Sequence, residues 1–229
     1  MIEIKFNFIK KEVWFSEKVD TINFIKLLDY KQIKEKSILY KSVSFDTILI
    51  DLNCSKEEIR KKFKQNYKNE ISKAIKLNIS FQEEKDFKDF KNFYNYFAKL
   101  KKLNLLTDVF NHYLPNVKIT KAIYVDTVLV MHLYLIDYEI KKVRLLYSAT
   151  SMSFDDKKII GFANKFLHYE DMKFFKEIGF KVYDLGGINL DSEDRYIQGI
   201  NTFKKGFGGV VSHEYNLTSY LLHLLRKIK

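Results

Sequence analysis

The sequence contains very little cysteine, proline and glycine: one, one and eight residues among 229. The single cysteine, Cys54, excludes an internal disulfide and any metal site built from several thiolates. No window approaches the roughly 18 consecutive apolar residues of a membrane span. The N-terminal stretch MIEIKFNFIKKEVWF alternates apolar and charged residues, so it predicts a strand and not a signal peptide. We therefore expect a cytoplasmic protein.

Glycine is confined to the last third of the chain. The first of the eight is Gly161, and six fall in 182–209, VYDLGGINLDSEDRYIQGINTFKKGFGG. Glycine permits tight turns and close approach of the backbone to a ligand or another segment. The stretch therefore predicts two tight turns, YDLGG and GFGG, with the second folded closely against the first. The sequence has no P-loop, dinucleotide fingerprint or nucleophile elbow.

The composition indicates a folded core and a basic surface. Hydrophobic residues make up 46% and aromatic residues 16% of the chain, which is too apolar for a disordered polypeptide. The net charge of +11 favours an anionic partner such as a nucleotide, a cofactor phosphate or RNA. The excess charge is spread along the sequence, so a general bias toward lysine is the alternative explanation.

Hydrophobic periodicity predicts a mixture of helices and strands. Ser55 and Glu58 have the spacing of a capping box, and the apolar stripe after them predicts one helix over 55–77. Three β-rich runs between residues 121 and 150 predict an antiparallel meander. The other expected helices lie near 19–30, over 86–103, over 158–178 and at the basic C-terminus, and the other expected strands lie at 46–52, 79–85, 180–185 and 210–217.

Two segments carry groups that suit a reaction. The loop SMSFDDKKIIGFA enters a helix whose free N–H groups and dipole favour a phosphate, with Lys157 and Lys158 adding charge and Gly161 allowing close approach. An ordinary basic helix start is the alternative. Asp184 ends a strand, where it suits a general base or closes an Asx turn in its own loop.

The histidines show no metal-ligand pattern in the sequence, so no metal is expected. His168 and Asp171 are three residues apart on the helix over 158–178, where such a pair is more often a solvated edge than a catalytic dyad. The histidines considered for a metal site are His112, His132, His213 and His223.

Four stretches together resemble the Gcn5-related N-acetyltransferase (GNAT) superfamily, and more closely its FemAB-type branch of peptidoglycan aminoacyltransferases and glycan acyltransferases. They are IDLNCSKEEIRKKFKQNYKNEISKAIKLNI, VRLLYSATSM, LHYEDMKFFKEIGFKVYDLGGI and GINTFKKGFGGVVSHEYNL. The resemblance implies an α+β fold with a mixed, mostly antiparallel central sheet, helices on both faces and splayed central strands. One such domain would cover 1–229, with a degenerate part at 1–45, the acyltransferase core at 46–217 and a basic helix at 218–229.

The resemblance also implies where a donor would bind. An acyl thioester would lie in the V between the strands 142–150 and 180–185, with backbone N–H groups around Tyr147 as an oxyanion hole. The segment KKIIGFA resembles the pyrophosphate motif of the superfamily. The implied donor-side residues are Leu146, Ser148, Ala149, Thr150, Lys157, Lys158, Gly161 and Ala163.

On the acceptor side, the branch has an active-site lysine in FKKGFGG, which corresponds to Lys204 or Lys205, with Lys204 preferred. Asp184, or Glu170 through a water, would accept the proton of the attacking amine. Ordinary acetyltransferases of the superfamily have a tyrosine acid where this chain has Phe203, so that acid is either missing or supplied by another residue. The implied acceptor-binding residues are His168, Gly186, Gly187, Phe203, Lys205 and Gly208.

The implied activity is transfer of an acyl group from acyl-CoA, with acetyl-CoA foremost, to the amine of a nucleotide- or lipid-linked amino sugar in bacterial surface-glycan synthesis. The first alternative is an aminoacyl-tRNA donor, with the basic segment 55–77 facing RNA. Against it, the aminoacyltransferases of the branch are longer, and no coiled-coil arm is found in this sequence. The second alternative is a non-catalytic basic binding module on the same fold.

Overall fold

The structure, a computed structural model, describes residues 1–19 and 27–228, which group into two compact units. The first unit comprises Met1–Ile48, Gly187–Asn201 and Val211–Lys229, and the second comprises Leu49–Gly186 and Thr202–Val210. The single domain expected over 1–229 stays a prediction. The helix expected near 19–30 falls mostly outside the described residues, and from Leu27 onward the chain is a strand instead.

Strands and helices of the described residues follow one another in a mixed order. The strands are β1 (Ile2–Lys5), β2 (Lys10–Trp14), β3 (Leu27–Ile33), β4 (Lys41–Asp51), β5 (Ser80–Glu84), β6 (Val117–Tyr124), β7 (Thr127–Asp137), β8 (Lys142–Thr150), β9 (Val182–Ile188) and β10 (Val210–Thr218). The helices are α1 (Lys56–Lys61), α2 (Gln65–Lys76), α3 (Phe87–Lys101), α4 (Lys157–Glu177), α5 (Arg195–Lys205) and α6 (Tyr220–Lys227), with a 3₁₀ helix at Asp108–Asn116.

The first unit is a sheet in the order β1-β2-β3-β10-β4, to which β4 contributes its residues up to Ile48. The N-terminal stretch expected as one strand is a hairpin, because the Asn7 side chain accepts from the backbone N–H groups of Ile9 and Lys10 and turns the chain there. The core of this unit consists of Val13, Leu28, Tyr30, Ile33, Tyr40 and Leu217.

The second unit is a sheet in the order β4-β9-β8-β7-β6-β5. From β5 to β8 each neighbouring pair is antiparallel, so the meander predicted from the sequence is present, and β8 and β9 are parallel. This order places β8 between β7 and β9, whose sequence is VYDLGGI. β8 and β9 therefore lie in segments that carry the resemblance.

Helices cover both faces of this second sheet. On one face, α3 packs Phe90 and Tyr94 against Leu133 of β7. On the other face, α2 and α4 pack Ala74 and Phe166 against the sheet. Successive residues of a strand point to opposite faces, so β7 supplies apolar residues to the α3 side and, at 132 and 134, polar residues to the α4 side. The expected mixed, mostly antiparallel sheet with helices on both faces is thus confirmed.

The helix predicted over 55–77 is divided into α1 and α2. Its start is correct, since Ser55 and Glu58 form the capping box. The helix breaks at Lys62, and the N–H of Lys64 donates to the carbonyl oxygen of Gly206 at 2.9 Å instead of to its own helix. The prediction of one helix was therefore wrong because a tertiary contact takes over a backbone donor.

The glycine-rich stretch also differs from the prediction. YDLGG lies within β9 and is not a tight turn, and the residues from Arg195 to Lys205 form α5, which the sequence did not predict. GFGG does form a turn, between α5 and β10. Among the described residues, no helix combines the length and apolar character needed to cross a membrane.

Candidate active site

Strands β8 and β9 separate near the middle of the second unit. Within the described residues they pair only from Lys142–Val182 to Arg144–Asp184, although both strands continue further. Gly186, two residues beyond the last pair, has a φ of +78°, so the β9 backbone leaves the regular strand conformation there. The splayed central strands expected from the resemblance are therefore present, and the strands part at Arg144 and Asp184.

Asp184 lies completely buried at the parting point. One carboxylate oxygen lies 3.1 Å from Lys142 Nζ, and the other accepts from the backbone N–H of Gly186 at 2.8 Å. The second contact is the hydrogen bond of an Asx-type turn. This turn was the alternative to a general-base role that the sequence left open for Asp184. It holds the bend at Gly186, and the role of Asp184 as a base stays a prediction.

Lys204 reaches the same point from the last turn of α5. A methyl group on Gly186 would lie 3.6 Å from Lys204 Nζ. Burial and, after it, the Arg144 guanidinium lower the pKa of Lys204 to about 8, although the Asp184 carboxylate partly offsets them. The preference for Lys204 over Lys205 agrees with this placement, since Lys205 is exposed. Lys204 is thus an amine of lowered pKa that lies where β8 and β9 part.

The turn after Lys204 is shaped by close packing on the α1–α2 junction. A Cβ at Gly206 would lie 2.3 Å from the Tyr67 ring, and a Cβ at Gly208, where φ is +70°, would lie 2.2 Å from the Lys62 carbonyl oxygen. Real Cβ atoms do not approach other atoms so closely. Gly206 and Gly208 therefore allow this turn to pack on the α1–α2 junction, and the substrate contact expected of Gly208 stays a prediction.

Phe203 and Phe207 flank Lys204 and pack on both sides of the turn. The Tyr67 hydroxyl donates to the Phe203 carbonyl oxygen at 3.0 Å, and its ring contacts both phenylalanines. Burial raises the pKa of Tyr67 to about 12, so its hydroxyl stays protonated and keeps donating. The position of Lys204 is thus set by an aromatic cluster beneath the backbone that carries it.

A buried polar network lies on the α4 face of the sheet, in contact with this aromatic cluster. It consists of His132 and Tyr134 from β7, His168 and Asp171 from α4, and Tyr183 from β9, all buried. His168 contacts the rings of Phe203 and Phe207, which join the network to the turn that bears Lys204. The solvated edge expected for His168 and Asp171 was therefore wrong.

Hydrogen bonds link the five groups in one chain. Asp171 Oδ2 lies 2.8 Å from His132 Nδ1 and 2.5 Å from the Tyr134 hydroxyl. The Tyr134 hydroxyl lies 2.7 Å from that of Tyr183, which lies 2.8 Å from His168 Nδ1. Burial, with His132 as the next cause, holds the pKa of His168 well below its usual value, so this imidazole is neutral. Burial likewise raises the pKa of both tyrosines well above the usual range.

The residues expected around the donor are divided between the site and the core. Leu146, Tyr147 and Ala149 pack against the α3 face, where the Tyr147 ring contacts Tyr94 at a centroid distance of 4.9 Å. Tyr147 can therefore offer its backbone to a ligand, while its side chain is used in packing. The side chains of Ser148 and Thr150 on the same strand are partly exposed.

At the start of α4 the expected phosphate donors are already engaged in part. The Asp156 side chain caps the helix and accepts from the N–H groups of Lys158 at 2.8 Å and Ile159 at 3.2 Å. Lys157 and Lys158 are exposed, and within 4 Å of a Cβ built on Gly161 there is no other described atom, so space is available there. Ala163 is buried in the core under α4.

Two other expected site residues, Glu170 and Gly187, have contacts of their own. The Glu170 carboxylate lies 2.6 Å from Lys173 Nζ on the same helix. Gly187 belongs to the first unit, where a Cβ would lie 2.9 Å from the Phe45 ring. Two surface cavities, of about 600 and 290 Å³, are lined by residues 3–11 and by residues of β5, α3 and β6, and neither includes an expected site residue.

Comparisons with known proteins identify the fold. No protein-family model and no curated protein matches the chain. FemX superposes with a TM-score of 0.60 at 13% identity, over 80% of this chain and 63% of FemX. The C-terminal DUF2156 domain of an Agrobacterium fabrum protein assigned as a lysylphosphatidylglycerol synthetase gives 0.60 at 11% identity, over 90% of this chain and 71% of that chain. L-PGS from Bacillus licheniformis gives 0.59 at 11% identity, over 89% and 73%.

The chain therefore has the GNAT-like fold of the FemAB type, which is the fold that the four stretches implied. It spans less than two thirds of FemX, 63% of the length of that protein. At 11–13% identity the likeness extends to the fold, so chemistry has to be argued from this chain's own residues.

Proposed function

We propose that this protein is an acyltransferase that moves an acyl group from acyl-CoA to the primary amine of an amino sugar. The observation that carries the proposal is the position of Lys204: an amine of lowered pKa beside Gly186, where β8 and β9 part. In a GNAT-like fold this parting is the place for the acyl group. Three cationic side chains, those of Lys142, Arg144 and Lys204, lie near Asp184 there, which suits an anionic donor or acceptor.

The proposed chemistry is direct attack of the amine on the acyl carbonyl carbon. The C–N bond forms, the carbonyl oxygen takes negative charge, and the C–S bond then breaks. The proton that the attacking nitrogen loses passes to the departing thiolate, so that a neutral amide and a free thiol result. Lys204 in its ammonium form would stabilise the oxyanion, and backbone N–H groups near Tyr147 would add donors. Asp184 would fix the bend at Gly186 against which Lys204 lies. Positioning of the two substrates supplies much of the remaining rate.

An assay of thiol release tests this proposal. Purified protein is given acetyl-CoA, propionyl-CoA or longer acyl-CoA thioesters together with a panel of free, nucleotide-linked and lipid-linked amino sugars. We expect release of free CoA that depends on both components and an N-acylated sugar detectable by mass spectrometry. Absence of thiol release with every combination would contradict the CoA-dependent activity.

The hydrogen bonds by which Asp156 caps α4 favour a second candidate donor, aminoacyl-tRNA. Because Asp156 already accepts from two N–H groups at the start of α4, a pyrophosphate would have to compete with a carboxylate for them. An aminoacyl-tRNA donor, the alternative implied by the FemAB resemblance, does not need this site. Transfer from charged tRNA that falls with salt and stops after RNase treatment would support this candidate.

Replacement of Gly161 distinguishes the two donors. The Gly161→Ala substitution is expected to raise the KM for acyl-CoA about tenfold if the donor backbone approaches α4 closely, and to leave transfer from aminoacyl-tRNA unchanged. The fold should tolerate the methyl group, because no described atom lies within 4 Å of it. Gly199→Ala on α5, where the space is equally open, is the matched control and should leave both KM values unchanged. An unchanged KM for acyl-CoA in Gly161→Ala would exclude close donor contact at this position.

A further inference from the structure

Helix α6 of the first unit presents an apolar face to solvent. Its side chains Tyr220, Leu221, Leu224 and Leu225, together with Ile228 directly after the helix, are between 43% and 82% exposed. At 3.6 residues per turn these five side chains lie within an arc of about 140° on one side of the helix. Single apolar residues are ordinary on a protein surface, but a contiguous group of them marks an interaction site.

The opposite side of α6 holds the helix on its own unit. Leu222 is buried, and Arg226 Nη2 donates to Asp29 Oδ2 of β3 at 2.9 Å. At the start of the helix the backbone N–H of Ser219 donates to the carbonyl oxygen of Leu28 at 2.9 Å. These contacts fix the orientation of α6, so its apolar face is turned away from the sheet that carries it.

Two neighbouring segments of the same unit add exposed apolar residues. The Tyr220 hydroxyl donates to the carbonyl oxygen of Ile38, whose side chain is 91% exposed. The turn between β1 and β2 carries the fully exposed Phe8, and the carbonyl oxygen of Ile9 accepts from the N–H of Leu27 at the start of β3. Since β2 and β10 lie on either side of β3, this turn is about 10 Å from the start of α6. The exposed apolar residues of α6, with Ile228, Ile38 and Phe8, are together called the docking surface below.

The charges around the docking surface are mainly positive. The three segments that form it, 5–11, 34–41 and 219–229, each contain three cationic residues, and the one carboxylate among them is Glu35. Lys11, Lys34 and Arg226 pair with carboxylates elsewhere in the first unit, and the balance stays positive when those carboxylates are included. An apolar helix face with basic residues beside it is typical of helices that lie on anionic membranes.

Two other occupants fit the docking surface less well. A second copy of the chain would bring like charges face to face. The eight residues of α6 also span only about 12 Å, a small part of the roughly 800 Å² that each partner buries in a stable dimer. RNA would meet the positive charge, but it would leave the leucines in water, since RNA-binding surfaces use aromatic side chains on which bases stack. A bilayer with anionic lipid offers negative charge and apolar acyl chains at the same place.

We propose that the docking surface binds the first unit to the surface of a bilayer that contains anionic lipid, with α6 lying in the plane of the interface. The apolar face would enter the boundary between headgroups and acyl chains, and the lysines beside it would contact the negatively charged headgroups. Reversible attachment of this kind is strong when apolar burial and positive charge act together. The docking surface combines both.

Cosedimentation of the full chain with lipid vesicles tests the proposal. Vesicles of pure phosphatidylcholine are compared with vesicles that contain about 30% phosphatidylglycerol, which supplies the negative surface charge. We expect the partition coefficient to be about tenfold or more higher for the anionic vesicles and to fall as the salt concentration rises. Absence of binding to the anionic vesicles, or equal binding to both kinds, would contradict the proposal.

Substitutions on the exposed face locate the contact without disturbing the core. The double substitution Leu224→Gln/Leu225→Gln should lower the partition coefficient for anionic vesicles about tenfold or more. Leu100→Gln/Leu103→Gln, at two leucines of the second unit that are also exposed, is the matched control and should stay within about twofold of wild type. Wild-type binding by the first variant, or an equal loss in both, would overturn the assignment.

The charge is tested separately at Lys227, which is exposed in the last turn of α6. Lys227→Gln should lower the partition coefficient for anionic vesicles about fivefold and leave the weak binding to phosphatidylcholine unchanged. Lys101→Gln, at an exposed lysine of α3, is the control and should bind as wild type does. Equal effects of the two lysine substitutions would contradict a contact at α6.

Sedimentation equilibrium and RNA binding, both measured without lipid, address the other occupants. A wild-type dimer that dissociates in Leu224→Gln/Leu225→Gln would assign the surface to a second copy and refute the proposal. Binding of single-stranded RNA that this variant loses, with no binding of the wild type to vesicles, would refute it as well. None of these measurements involves acyl transfer, so their outcome is independent of the proposed activity.

Discussion

The Lys204→Ala protein is expected to lose about two orders of magnitude or more in kcat/KM for acyl transfer, because a charged donor to the oxyanion is removed from a partly buried site. The fold should persist, since the buried ammonium carries a desolvation cost that alanine relieves. Lys101→Ala, at an exposed lysine in the last turn of α3, is the matched control and should stay within about twofold of wild type. Full activity of Lys204→Ala would remove Lys204 from the mechanism.

The pH profile tests the charge state that Lys204 uses. Its pKa in the folded protein is about 8, below the 10.5 of an ordinary lysine, so the ammonium is lost as pH rises through 8. Activity that depends on the ammonium should therefore fall above pH 8. The Lys204→Arg protein, whose side chain keeps its charge, should lack this fall even if its overall rate is lower. A rise in activity through pH 8 would instead indicate that Lys204 acts as a base.

The same pKa predicts an opposite trend for stability. Between about pH 8 and 10.5 the unfolded chain still binds a proton at Lys204 that the folded chain has released, so the free energy of unfolding should increase with pH across this window. Below pH 8 both states are protonated, and the cost of burying the charge is fully present. Stability and activity of the wild type should therefore diverge above pH 8, and the Lys204-dependent rise in stability should be absent from Lys204→Ala.

Much of the second unit could be predicted from the sequence because its signals are local. The capping box at Ser55, the three alternating runs of the meander and the helix ending before Gly179 each depend on neighbouring residues. The importance of Lys204 came from the resemblance of FKKGFGG to a family, and its placement at the parting of β8 and β9 agrees with that. The lowered pKa of Lys204 could not be foreseen, because it arises from burial and from Arg144 on β8, which is 60 residues away in the sequence.

The buried network was missed because its members are distant in sequence. His132 and Tyr134 sit in the apolar run VLVMHLYLID, and their partner Asp171 lies 39 and 37 residues away. One signal was available: two polar residues at alternate positions of an otherwise apolar strand share a face and need partners if that face is buried. Helix α5 was missed for another reason, since Gly199 and the polar residues around it suggest a loop.

A methyl group on Gly208 is expected to destabilise the protein by about 3 kcal/mol or more, although this residue is exposed. Its φ of +70° is unfavourable for alanine, and the Cβ would lie 2.2 Å from the Lys62 carbonyl oxygen, which belongs to the backbone and cannot rotate away. Gly199→Ala, in a helix with open space around it, should instead stabilise by about 0.5–1 kcal/mol. Urea unfolding of the two variants measures both effects.

The two glycines of this turn should respond differently to a second substitution. The methyl group of Gly206→Ala meets the Tyr67 ring, so removing that ring with Tyr67→Ala should recover part of the loss in a double-mutant cycle. The methyl group of Gly208→Ala meets the Lys62 backbone instead. Tyr67→Ala should therefore leave the stability lost through Gly208→Ala unchanged. Equal coupling at both positions, or a Gly208→Ala protein as stable as wild type, would mean that the turn does not pack on the α1–α2 junction. The restriction of glycine to this region would then need a ligand to explain it, as the sequence first suggested.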